Sequence, residues 1–131
     1  MTEPKIRDYF LGLIPAKELV KVDKAKSAKI IAYWKEVEMI QEGEFIIKPK
    51  NLLTVCDDVL NGSLKLQHLM TISLVAIGSD YFDWDMEDKE GQKVCEVLDE
   101  WCNPTINYPL TLPNVVQWKN YLITGEREMN L

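Results

Sequence analysis

The chain has 131 residues, 47% of them hydrophobic and 27% charged, with a net charge of −6 and a pI near 4.8. This size and balance suit one globular domain with its own core and argue against general disorder. The acidic balance excludes nonspecific nucleic-acid binding, which needs positive charge facing phosphates.

In chain order, the start Met1-Thr2-Glu3-Pro4-Lys5-Ile6-Arg7-Asp8 is too charged for the apolar core of a signal peptide. Within residues 1–23, the segments Ile6 to Leu11 and Pro15 to Val20 are expected as short helical turns. Ile30, Tyr33, Trp34, Val37 and Ile40 recur at helical spacing, so an amphipathic helix is expected over 24–41, ended by Gly43. Glu44 to Lys48 reads as extended, and Pro49 suits the first turn of a following helix. That helix carries Leu52, Val55, Cys56, Val59 and Leu60 on one side and stops at Asn61-Gly62. Ser63 is expected to cap the next helix, which runs to about Gly78. Leu64, Leu66, Leu69, Met70, Ile72, Leu74, Val75 and Ile77 make it apolar nearly all round, the pattern of a central buried helix. The short link predicts an antiparallel hairpin of these two helices.

A further helix is expected from Asp85 to Trp101, with Val94, Val97, Leu98 and Trp101 inward. Pro104 and Pro109 interrupt helix. A last helix is expected from Thr111 to Leu122, with Val115, Trp118 and Leu122 inward, and a polar, frayed tail over 124–131. The expected fold is therefore all-α, a single-domain bundle of about five main helices with no strand pair. Its longest apolar run, Leu69 to Ile77, is far short of a membrane span.

Cys56, Cys95 and Cys102 are an odd set without tight spacing, which fits buried, reduced thiols and a cytoplasmic location. The single histidine, His68, lies in the most apolar helix and suits a packed or rim position better than a general base. Neither a nucleophile elbow nor a phosphate loop is present. Asp83-x-Asp85-x-Glu87 invites comparison with a calcium loop, but the sixth and twelfth positions are Asp88 and Val94 where glycine and glutamate are required. No catalytic residue, metal or cofactor is therefore expected.

The most informative segment is Ser79 to Glu90, where six carboxylates alternate with Tyr81, Phe82 and Trp84. Over residues 80–100, nine acids face only Lys89 and Lys93. Part of this has a structural reading. Asp85 suits an N-cap, Glu87 and Asp88 suit the first helical turn, and Phe82 and Trp84 suit loop anchors. Asp80, Asp83 and Glu90 fall outside that reading, and concentrated like charge steers cationic partners. The expected partner-binding residues are Asp80, Tyr81, Asp83, Trp84, Glu87 and Asp88, with Asp57 and Asp58 as second candidates.

From Leu52 onward the chain resembles bacterial immunity proteins of polymorphic-toxin and contact-dependent growth inhibition systems. The resemblance rests on Leu52-Leu53-Thr54-Val55-Cys56-Asp57-Asp58-Val59-Leu60-Asn61-Gly62, on Ser79-Asp80-Tyr81-Phe82-Asp83-Trp84, on the run from Trp101 to Thr111, and on Trp118-Lys119-Asn120-Tyr121-Leu122. It implies a small non-catalytic protein that binds a cognate toxin domain, commonly a basic nuclease. The expected partner is thus a protein, with no nucleic acid or membrane involved. A helical adaptor in a larger assembly is the competing expectation, and the sequence leaves the oligomeric state open.

Overall fold

The computed structural model describes residues 1–21 and 39–131. The amphipathic helix expected over 24–41 falls almost wholly outside the described residues; its last positions, Met39 to Gln41, are not helical. Helix α1 spans Glu3–Phe10 and α2 spans Ala16–Leu19. Strand β1 is Phe45–Ile46, followed by α3 (Pro49–Leu60) and α4 (Gln67–Ile77). Strand β2 is Phe82–Asp83, followed by α5 (Lys89–Cys102) and α6 (Leu112–Thr124).

The protein is mostly helical, but not all-α. β1 and β2 form a two-stranded parallel ladder in the register Phe45 to Phe82 and Ile46 to Asp83. Phe45 N–H donates to Tyr81 O and Ile47 N–H to Asp83 O, each at 2.8 Å. Strands this short carry no periodic signal, so the pairing escapes a sequence reading.

Local chemistry sets the helix ends. Thr2 caps α1 by accepting from Lys5 N–H at 3.3 Å. Pro49 opens α3, where Asn51 Oδ1 accepts from Lys48 N–H at 2.8 Å. Thr111 caps α6 by accepting from Asn114 N–H at 3.3 Å. The start of α4 differs from expectation. Leu64 is buried and its N–H bonds back to Asp58 O at 2.9 Å, so residues 61–64 fold back onto the C-terminal turn of α3 before the chain turns helical. Helix therefore begins at Gln67 rather than behind Ser63. His68 supports this start, its Nδ1 accepting from Lys65 N–H at 2.8 Å.

The packing also departs from a simple hairpin. α3 packs chiefly on α6 and α4 chiefly on α5, while α3 and α4 barely meet. α4 buries Leu69, Ile72, Ser73 and Ala76 but leaves Leu74 and Ile77 exposed, so it is a flanking helix and not the central one.

The core joins Leu52, Val55 and Val59 of α3 to Val94, Val97 and Leu98 of α5 and Val115 and Leu122 of α6. Each such side chain contributes roughly 1.5–3 kcal/mol on burial. Trp101 and Trp118 meet edge to face at 6.1 Å, both fully buried. A second cluster, Phe10, Phe45 and Phe82, stacks α1 onto the β ladder at centroid distances of 5.9–6.0 Å.

The tail over 124–131 is tied down rather than frayed. Arg127 pairs with Glu96 and Glu100, and Asn130 bonds to Asn114. Among the described residues, no helix is long and apolar enough to cross a membrane.

Candidate protein-docking site

The acidic segment is a loop fixed at both ends and in the middle. At its entry, Ser79 Oγ accepts from Tyr81 N–H at 2.9 Å and Phe82 N–H at 3.2 Å, which tightens the turn out of α4. β2 then alternates Phe82 inward, 3% exposed, with Asp83 outward. Tyr81 is half-buried, its ring edge-on to Phe82 at 5.2 Å. Arg7 faces Tyr81 and Asp8, and its hydrogen bond to Asp8 is the main cause of a guanidinium pKa raised above the usual value. Trp84 is half-buried against the core.

The exit is fixed by backbone contact. A Cβ on Gly91 would lie 1.8 Å from Asp85 O and 2.4 Å from Asp85 C, so only glycine lets the loop seat on the first turn of α5. Gln92 Nε2 donates to Met86 O at 3.0 Å and holds the loop tip. Asp85 Oδ1 accepts from Glu87 N–H at 3.0 Å within the loop. The cap of α5 is Asp88, whose carboxylate accepts from Glu90 N–H at 3.4 Å. The sequence expectation of Asp85 as cap is displaced by one turn, because the Asp85 backbone is already occupied against Gly91.

Six candidate residues thus share this loop. Asp80, Asp83, Glu87 and Asp88 are exposed, with Tyr81 and Trp84 as half-buried rings between them. Asp57 and Asp58 lie apart on α3 and have internal partners. Asp57 pairs with Lys119 of α6 at 2.7 Å. Asp58 accepts from the Tyr9 hydroxyl and from Asn61 Nδ2. It lines a recess of about 410 Å³ with Ile14, Lys17 and Thr54. Burial, then the Asp58 carboxylate, pushes the Tyr9 hydroxyl well above its usual range.

The C-terminal acids of α5 also have internal work. Glu100, 7% exposed, accepts from Trp118 Nε1 at 2.9 Å and takes a two-point contact from Arg127. Glu96 accepts from Arg127 Nη2 at 2.7 Å and from the Tyr121 hydroxyl. Glu90 pairs with Lys93 at 3.2 Å. The sequence charge excess is therefore really two features, an outward loop and an internal tail clamp. Arg127 as the sole cation of the tail was the available signal for the second; its distant partners were not visible.

The thiols and the histidine have no shared chemistry here. Cys56 is fully buried, and burial pushes its thiol up to about 12. Cys95 and Cys102 are half-buried rather than buried. Burial, then Lys65, lowers the His68 pKa below 6.5, consistent with a neutral ring accepting from Lys65 N–H. Among the described residues, no group of three or more His, Cys, Asp or Glu side chains is placed to hold a metal ion.

No protein-family model, curated protein or solved structure matches the chain.

Proposed function

We propose that this chain is an immunity protein that binds and neutralises a basic toxin domain through the loop Asp80–Asp88. The observation that carries the reading is a group of outward carboxylates on a loop anchored by Ser79, Phe82 and Gly91. A site held in one geometry before contact loses little conformational entropy on binding. A nuclease presents Lys, Arg or His to phosphate, and fixed carboxylates substitute for that phosphate. The field speeds encounter, and Tyr81 and Trp84 supply apolar anchors at the centre of the contact.

A second reading has its own support. Leu112, Val116 and Ile123 are exposed along one side of α6, a surface that suits a helical adaptor docking through apolar contact.

Growth rescue tests the first reading: the chain is co-expressed with the C-terminal domain of the protein encoded immediately upstream, and the purified pair is titrated at low and high salt. Rescue with tight, salt-sensitive binding is expected. Binding that ignores salt and survives the paired charge reversal Asp83→Lys and Asp88→Lys would favour the adaptor, and absence of both rescue and binding would reject the immunity reading.

A further inference from the structure

The best-built polar surface outside the loop is one that the chain's own tail occupies. α6 ends at Thr124, and Gly125, in the left-handed region at φ +82°, turns the chain back beside the helix. Glu128 N–H then donates to Gln117 Oε1 at 2.9 Å. Asn130 N–H donates to Asn114 Oδ1, and Asn130 O accepts from Asn114 Nδ2, both at 2.8 Å. Bonds to one side from residues 128 and 130 are the pattern of an extended strand. Asn114 is fully buried and steadied by its bond to Pro109 O at 2.9 Å, so it contacts both backbone groups of one residue much as a neighbouring strand would.

Between these contacts Arg127 enters a slot. Its guanidinium meets Glu100 at two points and Glu96 at one, and lies 4.5 Å from the Tyr121 ring centroid and 5.6 Å from that of Tyr108. Planar two-point pairing with a carboxylate, together with flanking rings, selects arginine over lysine. Main-chain bonds that hold an extended segment, plus one pocket that selects a side chain, are the elements of peptide recognition.

We propose that this groove on α5 and α6 is a docking site for an extended, arginine-bearing segment of a protein partner, occupied in the resting chain by residues 126–131 as a tethered competitor. Two carboxylates converging on one guanidinium supply the charge complementarity. Gly125 is the hinge between α6 and the docked segment, so that segment can leave without unwinding α6. A short tether holds it at an effective concentration on the order of millimolar, which lowers the affinity of any incoming segment by the fraction of time the groove is filled. The inference is separate from the acidic loop, which feeds the opposite end of α5.

The test uses the full chain carrying Arg127→Ala and a labelled synthetic copy of residues 124–131. The peptide is expected to bind this variant at least about tenfold tighter than wild type, since the cis arginine no longer competes. It should also raise the melting temperature of the variant. The same peptide with alanine for its arginine should do neither, and adding Asp83→Lys and Asp88→Lys should leave peptide binding unchanged. Should Arg127→Ala lose its cooperative melt, Arg127→Lys is read in the same way. A folded variant that ignores millimolar peptide overturns the proposal. Loss of fold in both variants also overturns it, since a tail the fold cannot release cannot yield to a partner.

Discussion

Gly91 concentrates the loop's dependence on a single atom. Glycine inside a helix normally costs about 0.5–1 kcal/mol relative to alanine, so Gly91→Ala on an open helix would stabilise. Here the added Cβ would meet backbone atoms of Asp85 at 1.8–2.8 Å, which no rotamer change relieves. Gly91→Ala is therefore expected to destabilise by about 1–3 kcal/mol, the usual range for overpacking. Urea unfolding decides this, and a gain in stability would mean that the Asp85 backbone does not rest on α5. A glycine inside the helix expected from Asp85 was visible in the sequence, but its reason was not, because the contact is to backbone and leaves no side-chain pattern. The same holds for Tyr9 and Asp58, whose pairing joins α1 to α3 across residues with no shared periodicity.

At the level of elements, helix faces were legible and their partners were not. Val94, Val97, Leu98 and Trp101 of α5 and Val115, Trp118 and Leu122 of α6 are all buried as their spacing requires. Chain proximity suggested an α3–α4 pair, yet α3 packs on α6 and α4 on α5. The two ends of α5 now make separable predictions. Asp88 both caps the helix and faces solvent, so Asp88→Ala should cost about 1 kcal/mol of stability, whereas Asp88→Asn should keep most of it while removing the charge. Asp83 caps no helix, so Asp83→Asn should slow association with a cationic partner at low salt and leave the melt unchanged. Equal association rates for wild type and Asp83→Asn would remove this carboxylate from the docking surface. At the far end, Glu100→Ala leaves Arg127 with Glu96 as its remaining carboxylate and strands the buried Trp118 indole N–H. A loss of about 1–3 kcal/mol is expected, the usual cost of leaving a buried donor unsatisfied. Glu100→Gln should lose less because the indole keeps an acceptor, and equal melts for the two variants would mean that the indole bond contributes nothing.

For the molecule as a whole, the shifted groups set the shape of stability against pH. Burial and Asp57 push the Cys56 thiol from 9.0 to about 12. The Glu96 hydrogen bond, then burial, pushes the Tyr121 hydroxyl from 10.0 to about 12, and Tyr9 moves in the same direction through burial and Asp58. A raised folded-state pKa means that folding favours the protonated form. These three contributions are therefore complete below about pH 9 and are lost as pH climbs through the unfolded values of 9.0 and 10.0 toward 12. His68 acts in the opposite direction. Its folded-state pKa lies below the unfolded 6.5, so its contribution is complete above 6.5 and falls away as pH drops through the lowered value. Urea midpoints measured from pH 5 to 11 should accordingly decline on both sides of a neutral plateau. Tyr121→Phe should flatten part of the alkaline limb, and His68→Gln, which keeps an acceptor for Lys65 N–H, should flatten the part of the acid limb just below pH 6.5. An alkaline limb identical in wild type and Tyr121→Phe would mean that the Tyr121–Glu96 contact does not persist in solution, and with it the tyrosine wall of the Arg127 slot.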